Sequence, residues 1–190
     1  MVFRPWLLCL AACCAHAGEL EGVRLDERVS VDGQALQLNG MALRTRLFFK
    51  VYVAGLYLPR KASIARTAIE AEGAKRLVLV MMRDATADQF CQSIAAGLRL
   101  NNSEAQLARI GPQAEALYAK IRRIGRARAG MRIVLDYAPS AAATTLFVDG
   151  LPQGEPLRGP EFFQALLRIW LGERPAQADL KRLLLGQEGH

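Results

Sequence analysis

The chain has 190 residues, 52% of them apolar and 23% charged, with a net charge of +7 and an isoelectric point near 9.6. That length and apolar content suit one globular domain with a real core. They exclude a disordered, collagen-like or repeat protein.

The first seventeen residues read as a leader. Arg4 supplies a positive start, Trp6 to Cys14 is an apolar run too short to span a bilayer, and Ala15-His16-Ala17 is a small-x-small cleavage site. We therefore divide the chain into a signal peptide, 1–17, and a single domain, 18–190. A second reading stays open: Leu10-Ala11-Ala12-Cys13 fits a lipobox, which would anchor the protein through Cys13. A buried native helix is the third. Under the first reading the protein is exported to the periplasm. The mature chain then keeps Cys91 and His190 as its only cysteine and histidine. A lone cysteine cannot form an internal disulfide, and a His/Cys zinc site or a catalytic triad lacks its parts. Phosphate-loop, dinucleotide and zinc-protease motifs are absent from the sequence. No cofactor or metal is implied.

In chain order, residues 18–40 alternate and carry Asp32-Gly33 and Asn39-Gly40, both read as hairpin turns. Residues 41–59 are apolar on both alternating sets and are expected to form a central strand covered on both faces, with Lys50 its one internal charge. Residues 62–72 read as a short helix and 76–82 as a buried strand. Thr86–Gln89 and Ser103–Gln106 are capping boxes that open two helices. Pro112 should bend or interrupt the second. Strands follow at 131–137, 143–149 and about 152–157. Helices at 160–171 and about 176–185 stop at Gly172 and Gly186. Strands and helices segregate, and hairpins dominate. That order predicts an α+β domain with an antiparallel or mixed sheet and helices on one face.

Two blocks are more specific. Residues 39–58 read NGMALRTRLFFKVYVAGLYL; residues 159–172 read GPEFFQALLRIWLG, followed by DLKRLLLG at 179–186. Together they resemble the chalcone isomerase-like family, most of all its exported bacterial branch, over about residues 20–186. The resemblance implies an open β-sandwich: one long antiparallel sheet, a helical layer on one face, and a ligand cleft between them. Enzymatic members close a chalcone into a flavanone without a cofactor, using an Arg, a Tyr, an Asn and two Thr. Here the Arg corresponds to Arg44, but the strand Thr falls on Tyr52, the helix Tyr on Phe90, the Asn on Gly97 and the late Thr on Ile169. Most donors for a developing negative charge are therefore missing. Non-enzymatic members hold a fatty acid carboxylate with an Arg and a Tyr, and Arg44 and Tyr52 can supply that pair.

The candidate ligand-binding residues are Arg44, Tyr52, Lys50, Phe90 and Ile169, in a cleft lined by Phe48, Val80, Met82, Phe90, Ile94 and Trp170. The leading expectation is a non-catalytic binding protein for a fatty acid or similar amphiphile. Alternatives are a cofactor-independent isomerase acting on a conjugated ketone, and a structural protein with a vestigial cleft. Cys91 reads as an inert small side chain. The basic residues Lys120, Arg122, Arg123, Arg126, Arg128 and Arg132 have no acid among them in sequence. They read as a solvated face or a peripheral contact with anionic headgroups, and nucleic acid is not an expected partner.

Overall fold

The computed structural model describes residues 17–187; the expected leader, apart from Ala17, and its Cys13 lie outside that range. The strands are β1 (Ala17–Leu20), β2 (Val23–Asp26), β3 (Arg28–Val31), β4 (Gln34–Arg46), β5 (Phe49–Leu58), β6 (Lys75–Met81), β7 (Ala85–Thr86), β8 (Arg126–Ala127), β9 (Arg132–Ala138), β10 (Ala143–Val148), β11 (Leu151–Pro152) and β12 (Leu157–Arg158). The helices are α1 (Ala65–Glu70), α2 (Ala87–Asn101), α3 (Glu104–Ile124), α4 (Pro160–Leu171) and α5 (Ala178–Leu184).

One eight-stranded antiparallel sheet runs β11-β10-β9-β6-β5-β4-β3, with β12 also paired to β10. Asp32 in the β3–β4 turn accepts hydrogen bonds from the Ser140 backbone N–H (2.9 Å) and Oγ (2.6 Å) in the β9–β10 turn. Three strands separate β3 from β9 in the sheet order, so the sheet curls. The α+β plan expected from element order is the one observed.

Two cores follow from the pleat. Tyr52, Ala54, Leu56, Leu77, Leu79 and Met81 face the helices. Tyr57, Val78, Val80 and Val134 face the opposite way, where Leu25 of the β1–β2 hairpin covers them. Strand β5 is thus covered on both faces, as its doubly apolar pattern requires. Both capping boxes form: Thr86 and Ser103 each accept from the N3 backbone, and Gln89 and Gln106 reach back.

Three expectations change. Asn39-Gly40 is no turn. It lies inside β4, where Leu38 pairs with Tyr57 and Gly40 with Leu56, leaving Asn39 as an extra, bulged residue. Its buried side chain donates to the carbonyls of Ala62 (3.0 Å) and Leu184 (2.7 Å) and accepts from the Ala62 N–H (2.6 Å). Gly40 must be glycine because a Cβ would run into the Leu183 and Leu184 carbonyls. The 41–59 run is split by a tight turn at Leu47-Phe48, so its first half ends β4 and its second half is β5. Finally, α3 passes unbroken through Pro112. Pro112 and Ala108, whose carbonyl loses its partner, are both exposed, so water can satisfy that carbonyl.

Asn39→Ala should destabilise the protein by about 2–4 kcal/mol in denaturant titrations, because it orphans a buried N–H and two carbonyls. Lys75 is buried with its Nζ 5.0 Å from the Tyr137 ring centre, and burial pushes its pKa from 10.5 down to about 8. Above pH 8 the folded chain releases this proton while the unfolded chain keeps it. Stability should therefore rise by about 1 kcal/mol from pH 8 to 9, and Lys75→Met should abolish the rise.

Candidate functional site

Arg44 and Tyr52 are direct cross-strand partners on β4 and β5, on the face that meets the helices. The next pair in register is Thr45 with Lys50, so Val51 is a second bulge. Val51 and Tyr52 both pack toward the helices. Lys50 turns to the opposite side and pairs with Glu21 of the β1–β2 turn at 2.6 Å. The structure therefore brings Arg44 and Tyr52 together and takes Lys50 away from them.

Tyr52 is buried, and its Oη accepts a hydrogen bond from Trp170 Nε1 at 2.8 Å. An indole N–H can only donate, so the phenol keeps its own proton for a further acceptor. Burial raises the Tyr52 pKa, opposed by the Trp170 hydrogen bond and by the charge and hydrogen bonding of Arg44. The phenol stays neutral, a donor and not a base.

Arg44 is half-buried. Its Nη1 donates to the Thr45 carbonyl (2.8 Å) and to Gln177 Oε1 (3.2 Å). Gln177, immediately before α5, also accepts from the Thr45 backbone N–H at 3.0 Å. Among the described residues Arg44 has no carboxylate partner, and its guanidinium also acts on the Tyr52 hydroxyl. A guanidinium and a phenol O–H on paired residues, with no acid bound to them among the described residues, are groups that can receive an anion such as a carboxylate.

Phe90 and Ile169 have other settings. Phe90 is half-buried beside a small apolar void of about 20 Å3 between helices and sheet, which Ile121, Met131 and Leu146 also line. Tyr52 pairs with Met81, whose N–H donates to the Met131 carbonyl. The void is thus about two strand spacings, roughly 10 Å, from Tyr52 across the sheet. Ile169 is buried against Gly97, where a Cβ would come within 2.6 Å of the isoleucine. These two positions form a close contact between α2 and α4 and offer no polar group.

The expected cleft is corrected in two further places. Phe48 is 98% exposed at the β4–β5 turn, and Val80 faces the second core because its neighbours Leu79 and Met81 hold the helix face. Ile94 and Trp170 do lie in the helix-side core, and Met82 is half-buried. A larger groove of about 430 Å3 opens on the outer side between α2 and α3, with Asp88, Glu115, Arg99 and Arg122 on its rim. Its mixed charges favour no single sign of ligand. Cys91 lies on its wall, buried, with Sγ 3.8 Å from the Tyr118 carbonyl and its pKa pushed up by burial. An unactivated thiol of this kind is inert.

Sequence reasoning missed Gln177, which carries no local signal, and the donor role of Trp170. The periodicity of α4 shows only that Trp170 is apolar-facing.

A family model described as chalcone isomerase-like matches residues 17–186. Among solved structures, a fatty-acid binding protein of Arabidopsis thaliana superposes with a TM-score of 0.70, covering 90% of this chain and 96% of that one at 12% sequence identity. At that identity the likeness is one of fold. No curated protein sequence matches the chain.

Gly97→Ala should cost about 1–3 kcal/mol in thermal or denaturant unfolding, since the added methyl overlaps Ile169. Combining it with Ile169→Ala, which removes the Cγ atoms that the added methyl would meet, should recover part of the loss, a coupling that a double-mutant cycle reads directly.

Proposed function

The chain belongs to the chalcone isomerase-like family, and from that premise we propose that it is a non-catalytic binding protein for a fatty acid or similar small amphiphile. One observation carries the reading. Tyr52 spends its acceptor capacity on Trp170 and keeps its proton, beside an Arg44 that has no carboxylate of its own among the described residues. The ligand carboxylate would take both. The tail would run from Tyr52 past Met81 toward the void beside Phe90, and the helices would have to lift from the sheet to admit it. The likeness in fold to a fatty-acid binding protein supports this direction.

The isomerase reading finds less support. Phe90, Gly97 and Ile169 stand where its donors would be, and the last two are committed to packing. The cell compartment follows from the leader: we place the mature protein in the periplasm, with anchoring through Cys13 as the alternative. Native mass spectrometry of the mature protein from its own envelope would decide that point as a mass shift.

The same experiment tests the ligand. The wild type should carry a stoichiometric fatty acid, identified after organic extraction. Arg44→Ala should empty it. Tyr52→Phe should weaken uptake of added fatty acid by about tenfold or more, as expected for losing a hydrogen bond to a charged group. An empty wild type that also refuses added fatty acid would sink the proposal, and turnover of a conjugated ketone would favour the isomerase.

A further inference from the structure

The β4–β5 turn ends in three consecutive large apolar residues: Leu47, 84% exposed, Phe48, 98%, and Phe49, 55%. The other exposed large apolar residues among the described ones, Ile64, Leu100 and Leu151, are isolated in sequence. Leu47 also holds a left-handed φ of 56°, a turn position that Gly or Asn fills with less strain and no apolar surface. Folding stability does not account for these choices.

The tip has a cationic collar. Arg46 and Lys50 flank it and are exposed, and the Arg83 guanidinium carbon stands 4.5 Å from the Phe49 ring centre. The nearest acids are partly occupied. Glu21 pairs with Lys50, while Asp84, next to Arg83, accepts from the Ala129 N–H and Arg126. The basic stretch at 120–132 is less suited to the same task. There Arg122 and Arg126 meet Asp88 and Asp84, Lys120 is held by the Gln153 carbonyl, and no exposed large apolar side chain accompanies them.

We propose that the Leu47–Phe49 tip docks the protein on an anionic lipid bilayer, its apolar side chains at the acyl boundary and its Arg and Lys collar at the phosphates. The shape favours a bilayer over a protein. A stable protein interface takes about 800 Å2 and 20–30 residues from each partner. Three side chains on a narrow finger offer about 500 Å2 at most. A headgroup layer, by contrast, accepts a protruding apolar tip flanked by cations. Arg44 is three residues from the tip, roughly 10 Å along the strand, so docking brings the anion site close to the bilayer surface. The docking stands whether or not that site holds an amphiphile.

The test uses protein purified from cells that make the full-length chain. Every form, the reference included, carries Cys13→Ser, so that no acyl anchor floats the protein independently of the tip. Co-flotation with phosphatidylglycerol-containing vesicles should fall at least tenfold in Leu47→Ser/Phe48→Ser and about fivefold in Arg46→Ser. Pure phosphatidylcholine vesicles should bind more weakly than anionic ones. In Phe48→Trp, the emission added to that of wild type should shift to the blue and be quenched by brominated lipid. Equal flotation of wild type and the double Ser variant would overturn the proposal, as would added indole emission that brominated lipid leaves unquenched. So would a concentration-dependent blue shift without vesicles, which would mean that the tip meets a second copy of the chain.

Discussion

One extra residue in β4 decides which way the candidate site faces. Leu36 and Leu38 point to the second core, whereas Ala42 and Arg44 point to the helices. Even-numbered residues of an uninterrupted strand share a face, so the bulge at Asn39 is what turns Arg44 toward Tyr52. The bulge persists because its side chain is fully used, binding the segment before α1 and the end of α5. Gly186, at φ 67°, closes the C-terminal side of the same contact. Strand register, helix docking and site orientation therefore hang on one buried amide.

The second bulge, at Val51, sorts the charges. Without it Lys50 would share the helix face with Tyr52 and Arg44. With it, Lys50 goes to Glu21, and the helix side keeps a single guanidinium beside a neutral phenol. One cation and one protonated donor, with no acid paired to them among the described residues, have the chemistry to receive an anion, which is the physical ground of the proposed binding role.

The layer above the site is held by two contacts of different character. Trp170 ties α4 to the sheet through Tyr52, and Ile169 seats α4 on Gly97 of α2. The first uses the Tyr52 oxygen as acceptor and so leaves its proton for another partner. The second commits both positions to packing. Helices α2 and α3 press on the sheet around a void of about 20 Å3, room for about one water molecule and far too little for an acyl chain. An acyl chain would replace one set of apolar contacts with another. The free-energy change of opening is therefore governed by how much of the helix contact the ligand restores.

Sequence alone was enough for whatever local physics controls. Capping boxes at Thr86 and Ser103 set helix starts, double apolarity marked the central strand, and segregated elements implied the α+β plan. Arg44 and Tyr52 were legible only through the resemblance of residues 39–58 to a family motif. Their direct pairing, the departure of Lys50 and the exposure of Phe48 were not, because each depends on bulges and a turn within an evenly apolar stretch. Asn39-Gly40 shows the limit most clearly: the same two residues make a hairpin turn or a bulge, and the carbonyls of Leu183 and Leu184, far along the chain, choose between them. Gln177 reaches Thr45 for the same reason. Local pattern determines which elements form, but register and hydrogen-bond partners between distant segments exist only once the core has brought those segments together.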